Sequence, residues 1–318
     1  MVDIKNSHDK LFKETLSDIS NARDYFRHYL PANILNIINL DTLEIRKDSF
    51  IDEELKEFFS DMLYSVQFGK KAGYIYLLLE HKSFFDKDTP LKLLEYMVKI
   101  WKLHISQHKL PLPVIVPLVL YHGKDKWNIG NRFSELIDKY PARLKEYMPD
   151  FSYSLFDLSK WTDAEIKGGV VLQAMLLLFK YIFDKKFLDK LPDIAILFGD
   201  IIEKERGLEA MEALFRYISG NVEKSVEELN KVLFQSLPKG KEDIIMTLAD
   251  QLRNEGMQQG MQQGMQRGII DILQVRFNSV PDILMQRLNS IKDPEQLRNI
   301  NKKAVIVNSI SELTPYLN

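Results

Sequence analysis

The sequence contains no cysteine. That absence removes disulfide staples, a thiol nucleophile and any cysteine-ligated zinc, and it fits a reducing compartment. An excess of one charge is missing too: 43 Lys and Arg face 45 Asp and Glu, for a formal net charge of −2. Bulk basicity is the electrostatic footprint of a polyanion binder, so any nucleic-acid chemistry here must rest on a local site. Long apolar runs are also lacking. The longest, over residues 110–121, is interrupted by Pro111, Pro113 and Pro117 and is too short to span a bilayer. Residues 1–6 are polar and carry no apolar leader segment, so the expected location is the cytoplasm. Neither a P-loop nor a His-Glu-x-x-His pair occurs, and the Ser, His and Asp residues form no recognisable triad motif.

What is present is enough hydrophobic material for a sizeable core: 45% of 318 residues. That length fits one large domain or two smaller ones. Hydrophobic spacing gives the order of elements. Residues 8–29 read as one helix, with Leu11, Phe12, Leu16, Ile19, Tyr25 and Phe26 at helical spacing and Pro31 beyond its end. Residues 42–51 read as a strand through Leu43, Ile45 and Phe50. Residues 57–68 read as a second, aromatic-rich strand with Asp61 inside it, and Lys70, Lys71 and Gly73 as the turn that follows. Residues 74–82 form the clearest strand. Its run from Tyr74 to Leu79 is apolar at every position, as a central strand covered on both faces requires. A helix over 91–108 comes next, with Pro90 suited to its first turn. Buried strands follow over 114–121 and 152–158.

Three strands in succession predict a meander, and the helix after them predicts a crossover to the fourth strand. Beyond residue 162 the strand signals fade, and 170–183, 207–218 and 244–253 read as helices. The expected organisation is a mixed α/β (α+β) domain over 1–160 in the order αβββαβ, then an α-helical region over 161–253. A Gly-Met-Gln repeat over 254–268, helix or linker, and a C-terminal helical segment over 269–318 complete it.

The repeat has a period of four, so Met257, Met261 and Met265 form a drifting stripe beside Gly256, Gly260, Gly264 and Gly268. Each glycine weakens an isolated helix by about 1 kcal/mol. An ordered helix here needs a partner surface that exploits close backbone approach, with flexible methionines filling the gaps. The alternative is a disordered linker. The first reading makes a homodimer through the repeat the expected partner.

Glu80 and Lys82 stand two apart on the clearest strand and so share one of its faces. They lie where a hydrophobic strand meets solvent. Asp61 lies one strand earlier among Phe58, Phe59, Met62, Leu63 and Tyr64. If the two strands pair, the carboxylates converge. Two hard oxygen ligands on rigid strands hold Mg²⁺ while leaving positions for water and phosphate. A metal so held activates a bound water, and the Lys82 ammonium orients that water or steadies developing charge. An E-x-K spacing by itself is equally the end of an ordinary strand with a surface ion pair.

The stretches that carry a family likeness are His8-Asp9-Lys10-Leu11-Phe12-Lys13, Ser60-Asp61-Met62-Leu63-Tyr64 and Tyr76-Leu77-Leu78-Leu79-Glu80-His81-Lys82-Ser83. Pro90-Leu91-Lys92-Leu93-Leu94-Glu95-Tyr96-Met97 and Pro117-Leu118-Val119-Leu120-Tyr121-His122-Gly123 follow in the same order. In these stretches the chain resembles the Rpn family of recombination-promoting nucleases, also described as YhgA-like putative transposases. The resemblance covers roughly residues 7–160 and extends weakly to the glycine-periodic repeat. It implies a restriction-endonuclease-like PD-(D/E)XK core and Mg²⁺-dependent DNA cleavage, with Mn²⁺ as an alternative ion. Asp61 and Glu80 then fall at the metal-binding positions and Lys82 completes the catalytic set. Many relatives carry glutamine where this chain has Lys82, while lysine is the commoner choice in the wider superfamily. Lys92 stands where relatives often have arginine, which keeps the charge and loses the bidentate fork. Recombination, mobile-element biology and defence are all compatible with such an enzyme.

Accessory positions admit two readings each. Asp9 and Lys13 are an i,i+4 ion pair near a helix start, or they sit on a helix that packs beside the site and orders it. Tyr96 and Lys92 either face the site or belong to core and solvated face. His81 alternates away from Glu80 and is not read as a ligand. His104, His108 and His122 lack ligand spacing and read as surface or core. Residues 82–126 hold eight Lys against four Asp or Glu, a local excess that suits a phosphate-facing surface. The competing function class is a non-catalytic DNA- or protein-interaction protein on a nuclease scaffold. A strand-transferring transposase is weaker, because no third acid of the DDE type and no separate DNA-recognition module are visible.

Overall fold

The computed structural model describes residues 4–46, 62–80, 87–108, 110–139, 141–185, 187–221, 231–232 and 242–317. The chain folds as two compact units, Met1–Glu242 and Asp243–Asn318.

The first unit opens with α1 (Ile4–Leu16) and α2 (Ile19–Tyr29), followed by the short α3 (Ala32–Leu35). The single helix expected over 8–29 is thus two. The break falls at Asp18, whose side chain accepts from the Ser20 amide at 2.8 Å and caps α2. Aspartate at such a position outcompetes helix continuation. The carbonyls freed by the break find other donors: Leu16 receives the Tyr64 hydroxyl at 2.8 Å and Thr15 the Asn21 amide at 3.1 Å.

Strands β1 (Ile38–Ile45), β2 (Met62–Phe68) and β3 (Lys71–Glu80) form the antiparallel meander that the spacing predicts. Helix α4 (Thr89–Gln107) then crosses over to β4 (Val114–Tyr121), parallel to β3. β5 (Ser154–Asp157) adds in parallel beside β4, giving the order β1-β2-β3-β4-β5 among the described residues. The first strand starts earlier than the expected 42–51. Only Leu43 in it is buried, so its alternation is weak, as on a sheet edge; positions 47–51 of that expectation lie outside the described residues. So do residues 57–61 of the second.

The β2–β3 turn is Gly69-Lys70 rather than 70–73, with Phe68 opposite Lys71 and Gly69 at a φ of +59°. Glycine enters that region without the steric penalty of a Cβ. Gly73 belongs instead to β3, where the chain needs it for close approach. A Cβ there would sit 2.8 Å from the Val114 carbonyl oxygen and 2.7 Å from the Phe68 ring.

Alternation along β3 divides the core. Tyr74, Tyr76 and Leu78 pack with Val119 and Tyr121 against Leu93, Met97 and Ile100 of α4. Ile75, Leu77 and Leu79 are buried on the other face. There Phe26 meets Tyr64, which stands opposite Ile75, at 5.1 Å between ring centroids, and Tyr25 meets Phe156 at 5.9 Å. Beyond the sheet come α5 (Val170–Tyr181), α6 (Phe187–Ile202) and α7 (Gly207–Asn221). α5 buries Leu172, Ala174, Met175, Leu176, Leu178 and Phe179, as a helix enclosed by others does. α6 was not legible as a helix. Pro192 sits inside it, yet Leu191, Ile194, Ala195, Phe198 and Ile201 still form one buried face. α1 packs on α7, and Ser7 and Asn221 exchange hydrogen bonds at 3.1 and 2.9 Å.

The second unit holds α8 (Glu242–Phe277), α9 (Asp282–Ser290) and α10 (Pro294–Ile306). α8 runs unbroken through the glycine repeat for 36 residues, about 54 Å at 1.5 Å per residue. Its C-terminal part is anchored. Ile269 and Leu273 are fully buried with Leu284, Leu288, Leu297, Ile300 and Leu313. Two repeat glutamines also hold the end of α9: Gln262 donates to the Ile291 carbonyl at 2.8 Å, and Gln266 donates to those of Leu288 and Ile291 at 3.1 and 3.0 Å. These bonds satisfy carbonyls that every helix end leaves open. Among the described residues no helix is long and apolar enough to cross a membrane.

A candidate active site at the carboxyl end of the parallel strands

β3 and β4 run parallel, so their carboxyl ends lie side by side. Glu80 is the last residue of β3 and stands in register with Tyr121, the last of β4. Asp157 closes β5 one strand further, in register with Tyr121 on its other side. On the opposite flank of β3, Met62 begins β2 opposite Leu77, and Asp61 directly precedes Met62 in the chain. The topology therefore brings the backbone at Glu80 and the start of β2 to the same end of the central strand. Asp61, His81 and Lys82 themselves lie outside the described residues. Among the described residues no three His, Asp or Glu side chains gather as a metal-holding group.

The other sequence-derived positions fall on either side of the sheet. Asp9 and Lys13 are half-buried on α1. Tyr96 of α4 lies against Tyr76 at 5.2 Å between centroids, with the Lys99 ammonium 5.7 Å from its ring. Lys92 is half-buried in the first turns of α4. His104 and His108 lie near the other end of the sheet, at the C-terminus of α4, with rings 4.8 Å apart.

Two histidines that spacing alone left unremarkable meet here. His122 follows Tyr121 directly and is buried, its ring stacked on Phe179 at 4.4 Å and 13°. His8 of α1 is 1% exposed, and its ring lies 5.0 Å from that of His122. Its Nδ1 is 2.9 Å from the hydroxyl of Tyr217, which is itself buried on α7. Burial pushes the Tyr217 phenol well above its ordinary range, so it keeps its proton. The signal was present in the sequence: His8, Leu11, Phe12 and Thr15 share one helical face, and all four are buried. Asp157 is also buried. Its carboxylate accepts from the Ser159 hydroxyl at 2.7 Å and amide at 3.2 Å, and Lys160 approaches it at 3.3 Å.

Residues 6–209 match the family described as "Putative transposase, YhgA-like". The chain belongs to this family. Within the YhgA-like family it is similar to the recombination-promoting nuclease RpnA of Escherichia coli K12, at 30% identity over 79% of this chain and 85% of that protein. It is equally similar to the recombination-promoting nuclease RpnD of Escherichia coli O157:H7, at 30% over 78% and 94%. A third relative, from Escherichia coli K12, is named an inactive recombination-promoting nuclease-like protein, RpnE, and is 29% identical over 79% and 83%. No solved structure matches the chain. The family match spans the sheet and the helices from α1 to α6, and so includes Asp61, Glu80, Lys82, His8 and His122, but it stops three residues into α7 and leaves Tyr217 outside.

Proposed function

We propose that this protein is a Mg²⁺-dependent DNA endonuclease of the PD-(D/E)XK type, acting through Asp61, Glu80 and Lys82. The observation that carries the reading is topological. Glu80 ends the central strand of a mixed sheet, and the neighbouring antiparallel strand starts one residue after Asp61. Two relatives named recombination-promoting nucleases support the same reaction class.

The donor set suits the metal. Asp61 and Glu80 offer hard carboxylate oxygens of the kind Mg²⁺ takes, and Mn²⁺ accepts the same ligands. Bound there, the ion supplies an activated water and neutralises charge on the scissile phosphate. Lys82 would contribute an ammonium that orients the attacking water and steadies developing charge. The lysines of residues 82–126 give a near-neutral protein the local phosphate contacts it needs. One such site cuts one strand, and we extend the proposal to a homodimer through α8. Met257 and Met261 are 68% and 48% exposed there, and two sites related by a two-fold axis make a double-strand break. The role in the cell follows as recombination, mobile-element biology or defence.

Plasmid cleavage under metal titration tests the reading. Nicking should require Mg²⁺ or Mn²⁺ and stop with EDTA, and Lys82→Gln should retain metal binding and part of the activity. The name of the inactive relative favours one competitor, a non-catalytic scaffold that binds DNA or protein. Protein that neither binds Mg²⁺ nor nicks plasmid would establish that competitor instead.

A further inference from the structure

We infer that His8 is a positioning residue for the end of β3, and that Tyr217 selects the imidazole tautomer through which it acts. The inference rests on the nuclease reading above. It begins with a proton. A fully buried phenol needs an acceptor for its O–H, because an unmade hydrogen bond in the interior costs the full desolvation of the group. The Tyr217 hydroxyl lies 2.9 Å from His8 Nδ1, and burial holds the phenol in its protonated form. The phenol therefore donates and Nδ1 accepts. A neutral imidazole has one donor and one acceptor nitrogen, so His8 carries its proton on Nε2.

The ring bearing that donor lies 5.0 Å from the His122 ring. His122 is the residue after Tyr121, and Tyr121 is the register partner of Glu80. His122 is in turn clamped by Phe179 at 4.4 Å and Phe183 at 5.8 Å, both rings nearly parallel to it. A chain of contacts thus runs from α7 through Tyr217, His8 and His122 to the strand end that carries the candidate metal ligand. His8 is too deeply buried to touch DNA. Its effect must pass through the placement of the strand end, as groups behind metal ligands act.

A packing role makes a different demand on the same ring. If His8 only receives the Tyr217 proton, Nδ1 is the nitrogen that matters. If it braces the site, Nε2–H matters. Two carboxamides separate these cases: asparagine reaches the Nδ1 position and glutamine the Nε2 position. We expect His8→Gln to keep cleavage within about tenfold of wild type and His8→Asn to lose about 100-fold. Melting temperatures should run the other way, because asparagine keeps the Tyr217 bond. Tyr217→Phe, which leaves the shape intact, should lower kcat and raise the Mg²⁺ half-saturation without changing KM for DNA. Cleavage by His8→Asn equal to that by His8→Gln, or losses that follow melting temperature alone, would overturn the inference while wild-type cleavage upholds the nuclease reading. Wild-type protein that binds no Mg²⁺ and cuts nothing would overturn both.

Discussion

The two ends of the β3–β4 pair are built from opposite materials. At the carboxyl end, polar side chains go inward: His122, His8, Tyr217 and Asp157 are all buried. At the amino end Val114 is 57% exposed and the His104–His108 pair sits at the surface end of α4. Burying a polar group is costly unless its hydrogen bonds are made. A fold needing only stability would put apolar side chains at both ends. The proposed active site at the carboxyl end would account for imidazoles and a carboxylate kept buried there.

The sharpest way to break this contrast is to mutate both ends. Glu80→Ala should lower plasmid cleavage by more than about 100-fold, since losing a metal ligand exceeds the 10–100-fold cost of losing its support. His108→Ala should leave the rate unchanged. Similar losses in both would show that the carboxyl end has no special role.

Glycines give a second contrast of the same kind. Gly73→Ala pushes a methyl group against the Val114 carbonyl and the Phe68 ring, and should cost about 1–3 kcal/mol in denaturant unfolding. Gly260 has nothing within 4 Å of its would-be Cβ. In dilute protein Gly260→Ala should strengthen α8 by up to about 1 kcal/mol. If both substitutions destabilise equally, the repeat is packed where the structure shows it open.

The same open stripe carries the proposed dimer. Replacing the exposed Met257 and Met261 with Ser, and leaving Met265, which packs on the core of its own unit, should lower the solution mass towards that of a monomer and shift products from linear to nicked plasmid. Unchanged mass and product ratio would leave the repeat as a spacer.

The smallest effect is electrostatic. Burial opposes the charge of Asp163, but hydrogen bonds from Lys180 and Tyr181, each at 2.5 Å, outweigh it and hold the carboxyl below its ordinary 3.8. A depressed acid contributes stability that is present above its unfolded value and is lost as pH falls through the folded one. Wild type should therefore melt slightly above Asp163→Asn at neutral pH, and the gap should close below pH 3.8. A gap that stays constant in acid would assign the effect to shape rather than charge.

Much of this architecture was readable in advance, for reasons that differ by element. The run Tyr74–Leu79 announced a central strand because nothing but burial on both faces explains it, and the meander and crossover followed from element order. The break at Asp18 was missed because the apolar positions of α1 and α2 stay nearly in phase across it. α6 was hidden by Pro192, which its first turns accommodate. The β2–β3 turn was displaced because Gly73 looked like turn chemistry and serves close strand approach instead. At the candidate site, Asp61 and Glu80 were visible from spacing and likeness. His8 could be placed on a buried helical face, but its meeting with His122 and Tyr217 could not be read, because the three come together from positions more than 90 residues apart in sequence, and only the fold makes them neighbours.

The central claim meets its most direct test in single-turnover nicking of supercoiled plasmid by wild-type and Asp61→Ala protein in Mg²⁺, with an EDTA arm for each. The account predicts metal-dependent nicking by wild type and background levels from a folded Asp61→Ala protein. Cutting that survives EDTA, or an Asp61→Ala rate equal to wild type, would contradict it.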